Sequence, residues 1–228
     1  METSKSDFKI ASFTKRGTRK LSNRKKFLRD DILPQYQISD DKIAAIINSG
    51  KAINLEIGFG SGEFFFSVFK QNPDHMYIGC EPFETGVLQL VDKIESDSSI
   101  EAYKSNIFIH ANDVFDILAK FPNETFSKIY ILFPDPWPKL RHHKRRIIRD
   151  ENLDIFIAKL KSGSELKIAT DHYEYASWII AHLINRVDLS WDLNNEFNPT
   201  IEFPEYIATK YYRKAKTDDK YFFKFIKK

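Results

Sequence analysis

The sequence predicts an α/β domain: a mostly parallel sheet with helices on both faces and an antiparallel strand at its C-terminal edge. Three observations predict it. Short apolar runs alternate with helix-length segments from residue 53 to residue 185, and each parallel return to a sheet needs such a crossover. The first run leads through Gly58-Phe59-Gly60-Ser61-Gly62 directly into a helical segment, an arrangement that gives a tight turn and lets a ligand press against the backbone. The chain then changes character at Tyr221-Phe222-Phe223-Lys224-Phe225-Ile226, which follows a polar turn containing Asp218 and Asp219. Such a run pairs most simply as an antiparallel strand at the sheet edge. At 228 residues, with 42% hydrophobic and 29% charged side chains, the chain suits one core with short additions.

Taken in order, residues 1–38 form a basic arm and residues 39–228 the α/β domain. The arm carries Lys5, Lys9, Lys15, Arg16, Arg19, Lys20, Arg24, Lys25, Lys26 and Arg29, with Glu2 and Asp7 as the acids before Arg29. Ser39-Asp40-Asp41 caps a short helix running to Ile47 and stopped at Gly50. Strands are expected at Ile53 to Ile57, Met76 to Cys80, Ile107 to His110, Ile129 to Phe133 and Leu166 to Ala169. Helices are expected between and after them, at Glu63 to Lys70, Thr85 to Ile94, Val114 to Lys120, Glu151 to Lys161 and Tyr173 to Asn185.

Composition excludes several classes. Cys80 is the single cysteine, so no internal disulfide forms, and no Cys/His cluster offers zinc-ligand spacing. No metal is expected, and a reducing, cytoplasmic setting is. No stretch approaches the roughly 18 apolar residues of a membrane span. The first thirty residues lack an apolar signal core; their Ser, Lys and Arg content fits an organellar leader, but Glu2 and Asp7 interrupt that pattern. The net charge of +3 is unevenly placed. Besides the arm, Lys139 to Arg149 and Lys210 to Lys216 are basic clusters, the electrostatic footprint of a phosphate-backbone partner. The alternative for any one such run is solvated charge with no partner.

Carboxylates recur where the strands end. Gly58, Gly60 and Gly62 follow G-x-G-x-G spacing, whereas dinucleotide folds use G-x-G-x-x-G, and the last position of that pattern is here Glu63. An acid beside a pyrophosphate is repulsive, so a nucleoside ligand without phosphates fits better, and S-adenosyl-L-methionine has none. Glu81, at the end of the second strand, is placed to accept from ribose hydroxyls. Glu56 suits an ammonium group, and Asn112-Asp113 an adenine edge. A nicotinamide-dependent oxidoreductase shares this strand order but not this glycine spacing. A non-catalytic RNA-binding module explains the basic clusters and leaves the strand-end acids unexplained.

The fourth strand runs into Pro134-Asp135-Pro136-Trp137-Pro138-Lys139, then Arg141-His142-His143-Lys144-Arg145-Arg146. Two prolines bracket Asp135 and fix the local backbone. Here the sequence resembles the tRNA (guanine-N7-)-methyltransferase family. The resemblance covers roughly residues 50 to 225 and includes the Glu56 to Gly62 segment, Gly79-Cys80-Glu81 with Gly86 and Val87, Thr170-Asp171, and Thr209-Lys210-Tyr211. It implies a Rossmann-like class I methyltransferase fold, S-adenosyl-L-methionine as cofactor, and the variable-loop guanine of tRNA as acceptor, with no membrane or DNA partner. It places the cofactor at Glu56, Gly58, Gly60, Glu81, Asn112, Asp113 and Asp135, and makes Asp135 the catalytic aspartate. Lys139, Asp171, Thr209, Lys210, Tyr211 and Tyr212 match substrate-contacting positions, and Arg141, His142, His143, Lys144, Arg145 and Arg146 an RNA-binding run. Tyr212 stands where many members carry glutamate, and Glu202 and Glu205 are open as replacements. Oligomeric state, monomer included, is left open.

Guanine N7 carries an in-plane lone pair, so its methylation needs no proton removal. The absence of a Ser/His/Asp or Cys/His set is therefore consistent with this chemistry. Positioning and a fixed anion near the developing positive charge suffice.

Overall fold

In the computed structural model, residues 21–191, 199–207 and 220–228 are described. The chain enters through α1 (Asn23–Phe27), a π-helical turn (Leu28–Ile32) and α2 (Leu33–Tyr36). Pro34 lies in the first turn of α2, and its ring would crowd the carbonyl four residues earlier in a regular α-helix; the wider turn before it relieves that clash. Helix α3 (Asp40–Ile47) follows, with Ser39 accepting from the Lys42 amide as its N-cap.

The sheet then builds in βα steps: β1 (Ile53–Ile57), α4 (Glu63–Gln71), β2 (Met76–Cys80), α5 (Glu84–Ser96) and β3 (Ile107–His110). A 3₁₀ stretch (Ser98–Asn106) connects α5 to β3. Next come α6 (Phe115–Leu118), β4 (Phe126–Leu132), a 3₁₀ helix (Leu140–Arg145), α7 (Asp150–Lys159), β5 (Leu160–Thr170) and α8 (Tyr173–Leu183). The sheet closes with β6 (Leu189–Trp191) and β7 (Tyr221–Lys227).

The strand order is β3-β2-β1-β4-β5-β7-β6. Strands β1 to β5 are parallel, and β7 pairs antiparallel with β5. The three-residue β6 adds outside β7. Progression through the sheet reverses between β1 and β4, and such a switch point opens a crevice beyond the carboxyl ends of the strands.

Alternation along the strands divides the interior into two apolar layers. Ile53, Leu55 and Ile57 pack on one face with Ile129, Phe156, Ile168 and Ile179. The opposite face meets Phe64, Phe65, Val68 and Phe69 of α4 and Val87, Leu90, Val91 and Ile94 of α5. The end of the basic arm joins this second layer: Leu28 and Tyr36 are buried, Tyr36 donates to Glu95 at 2.5 Å, and Arg24 pairs with Asp92 at 2.8 Å. Lys139 and Lys144 of the basic cluster are exposed, whereas Arg146 is 2% exposed.

Candidate active site

The crevice at the switch point is lined by Glu56, Gly58, Phe59, Ser61 and Glu63 from the first βα step and by Leu132 and Phe133 from the end of β4. The turn between β1 and α4 is left-handed at Gly58, Gly60 and Gly62. At Gly58 a side chain would meet nothing within 4 Å, yet its φ of 74° disfavours one. The sequence therefore leaves open space above the turn. Gly86 serves the opposite need: a Cβ there would lie 2.2 Å from the Gly60 carbonyl oxygen, so α5 can approach the turn only without a side chain.

Glu81 fastens this turn. One of its carboxylate oxygens accepts from the Gly60 amide at 2.8 Å and the other from the Phe83 amide at 2.9 Å. Each oxygen keeps a lone pair for a further donor. Glu81 thus holds the glycine turn that lines the cleft. Glu56 is buried on β1 at 5% exposure, and its Oε2 has no hydrogen-bond partner among the described residues. Burial, with Glu81 nearby, pushes its carboxyl up to about 8. Asp113 follows β3, and its Oδ1 accepts from the Phe115 amide at 3.0 Å; Asn112 beside it is exposed.

Asp135 lies beyond β4, on a turn whose flanking residues Phe133 and Trp137 have φ of 50° and 43°. Left-handed backbone at a bulky residue costs about 1–2 kcal/mol, so the surroundings must enforce it. The Phe133 amide donates to the Ala169 carbonyl at 2.8 Å, and its ring packs on Tyr206 and Phe222. Trp137 is covered by the Arg145 guanidinium, 5.0 Å from the ring centroid, and meets His142 edge-on. Asp135 itself is open to solvent on one side, while the protein around it removes enough hydration to push its carboxyl up. Burial also raises Glu81 and Asp113. Four carboxyls at successive strand ends are thus destabilised as anions, the condition in which a cationic ligand is favoured.

The sequence-predicted residues divide by position. Glu56, Gly58, Gly60, Glu81, Asn112, Asp113 and Asp135 all lie at the carboxyl edge of β1 to β4. Asp171 follows β5 on the same edge and is engaged in interactions within the protein. Lys139 precedes the 3₁₀ helix, whose Arg141 and Lys144 are exposed, His142, His143 and Arg145 partly so. Lost hydration and then the neighbouring cations hold His142 below its ordinary value. Arg146 departs from the expected RNA-binding run: its side chain is buried against Tyr175 and Trp178 and donates to the Pro136 carbonyl at 2.8 Å. Thr209, Lys210, Tyr211 and Tyr212 lie outside the described residues. Of the two acids open as replacements, Glu202 is exposed, whereas Glu205 is held by Lys167 and by the Tyr130 hydroxyl. Although burial alone would raise the Glu205 carboxyl, Lys167 keeps it lowered.

Sequence reading missed Ser61 and Phe59 as cleft walls and Tyr175 and Trp178 as the support of Arg146. Ser61 sits inside the glycine turn and was readable from it. Tyr175 and Trp178 share a helix face only by their i, i+3 spacing, which ordinary core packing also produces.

A strand-order reversal with a carboxylate-lined cleft and a glycine turn at its mouth defines the class: this is a class I methyltransferase fold. Among solved structures, the aminoglycoside resistance methyltransferase NpmB1 aligns with a TM-score of 0.55 over 85% of this chain and 95% of that one, at 13% identity. A 16S rRNA (adenine-N1)-methyltransferase from Catenulisporales acidiphilia, solved with cosubstrate SAM, aligns with a TM-score of 0.53 over 84% and 92%, also at 13% identity. At such identities the likeness is one of fold. Residues 50–225 match the family model described as "Putative methyltransferase". The tRNA (guanine-N(7)-)-methyltransferase of Wolbachia pipientis wMel is 39% identical over 84% of this chain and 82% of its own length. That of Hyphomonas neptunium is 32% identical over 92% and 96%. The chain belongs to the tRNA (guanine-N7-)-methyltransferase family.

Proposed function

We propose that this chain transfers a methyl group from S-adenosyl-L-methionine to N7 of a guanine in tRNA, the variable-loop guanine being the acceptor. The observation that carries the reading is the set of four burial-raised carboxyls around a glycine turn, with Glu56 Oε2 unsatisfied. These residues fit a cationic nucleoside: Glu56 would hold the ammonium, Glu81 the ribose hydroxyls and Asp113 with Asn112 the adenine edge. When bound, S-adenosyl-L-methionine supplies an electrophilic methyl group on a sulfonium.

Asp135 stands beside this cleft on the strained turn and needs to take no proton, because N7 attacks with a free lone pair. Its role is to hold a fixed negative charge where the purine becomes positive. Lys139, further along the same segment, and Asp171, just after β5, would orient the guanine. Arg141 and Lys144 are exposed and would hold phosphates, with Arg145, laid over Trp137, beside them, which gives affinity and register more than base identity. Among the described residues no helix is long and apolar enough to cross a membrane, and a tRNA modification enzyme acting in the cytoplasm needs none.

The reading is tested by incubating the protein with methyl-labelled S-adenosyl-L-methionine and two tRNA transcripts, one ordinary and one containing 7-deazaguanosine. Label is expected in the first alone, with similar affinity for both. Label in the 7-deaza transcript would remove N7 as the target.

A further inference from the structure

We propose that Arg146 is a positioning residue for Asp135, acting through the backbone of the strained turn, and not a contact to RNA; this rests on the function proposed above. The basic run alternates in its surroundings. Arg141 and Lys144 are exposed, but Arg146 is 2% exposed, and its hydrogen bond goes to a backbone carbonyl rather than to a carboxylate. Burial pushes its pKa down, yet guanidinium remains charged. A buried guanidinium held by a carbonyl and two rings, with Glu174 acting on it only through space, is costly, so its retention calls for a structural use.

Its contacts supply one. The guanidinium carbon lies 4.7 Å from the Trp178 ring centroid and 5.1 Å from that of Tyr175. Both rings are themselves fixed to the backbone of Ile148: Trp178 Nε1 donates to its carbonyl at 2.6 Å, and the Tyr175 hydroxyl accepts from its amide at 3.4 Å. From this platform on α8, Arg146 Nε donates at 2.8 Å to the carbonyl of Pro136, the residue that follows Asp135. Pro136 cannot donate an amide hydrogen, so its carbonyl is the backbone handle at that position. Phe133 and Trp137, at φ of 50° and 43°, would relax if the turn were released. The same α8 begins just beyond Asp171, so one helix holds the Asp135 turn in register with the neighbouring substrate loop.

A planar fork is required: it must stack on two rings while aiming Nε along one line, which an ammonium cannot do. Arg146→Lys keeps the charge and removes that geometry. Single-turnover methyl transfer at saturating tRNA and cofactor is expected to fall roughly 10- to 100-fold, the scale of a displaced reacting group. Affinity for tRNA and its salt dependence should stay within about twofold, whereas Arg141→Ala should flatten the salt dependence. In an Asp135→Asn background, Arg146→Lys should cost less than about threefold more, because both changes remove one function. A general loss of fold would instead add its full effect there and would lower cofactor affinity. If Arg146→Lys folds poorly, Trp178→Phe, which loses the indole N–H and part of the stacking face, takes its place in the same cycle.

Independent of activity, the ¹⁹F resonance of 5-fluorotryptophan at position 137 should shift and broaden in Arg146→Lys. A silent wild-type enzyme would strike the functional reading alone, and this resonance would still judge Arg146. Wild-type transfer by Arg146→Lys, a flattened salt dependence matching Arg141→Ala, or an unmoved position-137 resonance would each overturn the proposal.

Discussion

Replacing Glu56 by glutamine should stabilise the free protein while weakening its cofactor site, and the gain should depend on pH in one direction. The folded carboxyl is pushed from 4.5 to about 8, chiefly by burial. Unfolded, it ionises near 4.5; folded, it keeps its proton to about 8. Between those values the folded state binds more protons, so its stability falls as pH rises. The full difference corresponds to at most ~5 kcal/mol, reached above pH 8 and absent below 4.5. Glutamine has no such proton to lose. Urea midpoints measured from pH 5 to 9 should therefore diverge, with Glu56→Gln increasingly the more stable. Binding reverses the order. The ammonium of S-adenosyl-L-methionine needs the ionised carboxylate, so wild type should release a proton on binding below pH 8, visible as a buffer-dependent calorimetric enthalpy. Glu56→Gln should release none from this group and should bind about 3 kcal/mol more weakly, the scale for breaking a buried pair. Parallel stability profiles for the two proteins would refute the reasoning, because they would mean that Glu56 is hydrated in the free state.

Glu81→Ala removes the acceptor of the Gly60 and Phe83 amides as well as a ribose partner, and should weaken cofactor binding by about 2–3 kcal/mol by calorimetry, more than Glu81→Gln does. Gly86→Ala should lower both thermal stability, by about 1–3 kcal/mol, and cofactor affinity, since its Cβ would press on the Gly60 carbonyl; a wild-type melting curve would contradict the close approach. Asp135→Asn should reduce saturated transfer by roughly 100-fold or more with tRNA affinity little changed, and turnover within a few-fold of wild type would make Asp135 a turn residue only. Alanine at Arg141 and Lys144 together should reduce the salt dependence of tRNA binding by about two phosphate contacts, read as the slope of log affinity against log salt.

Much of the sheet was legible because buried parallel strands leave continuous apolar runs. The bounds of β1, β2 and β3 coincide with the expected runs from Ile53, Met76 and Ile107. Strand β4 begins three residues earlier, at Phe126, and β5 at Leu160, because Lys128, Glu165 and Lys167 interrupt the apolar pattern. Those charges pair laterally across β4 and β5: Lys128 reaches Glu165 at 3.2 Å and Lys167 reaches it at 3.0 Å. No local period announces such a network. Strand β6 is three residues long and depends on β7 for its pairing, so nothing in its own sequence distinguishes it. The helices at residues 23–36 were hidden by charge: Leu28, Leu33 and Tyr36 are buried, but Lys25 and Lys26 before them and Arg29, Asp30 and Asp31 between them read as a solvated arm.

The carboxylates of the cleft were readable because strand ends and glycine spacing are local features. Arg146 was not, since its neighbours Lys144 and Arg145 make the run look uniformly exposed. Only the fold turns that one side chain inward, under Pro136.

The central claim is tested most directly by locating the methyl group on RNA. An unmodified tRNA transcript would be incubated with the protein and S-adenosyl-L-methionine, then reduced and cleaved at 7-methylguanosine with aniline. The account predicts a single cleavage in the variable loop that depends on the cofactor and is lost in Asp135→Asn. Methylated RNA that resists this cleavage, or cleavage unaffected by Asp135→Asn, would contradict it.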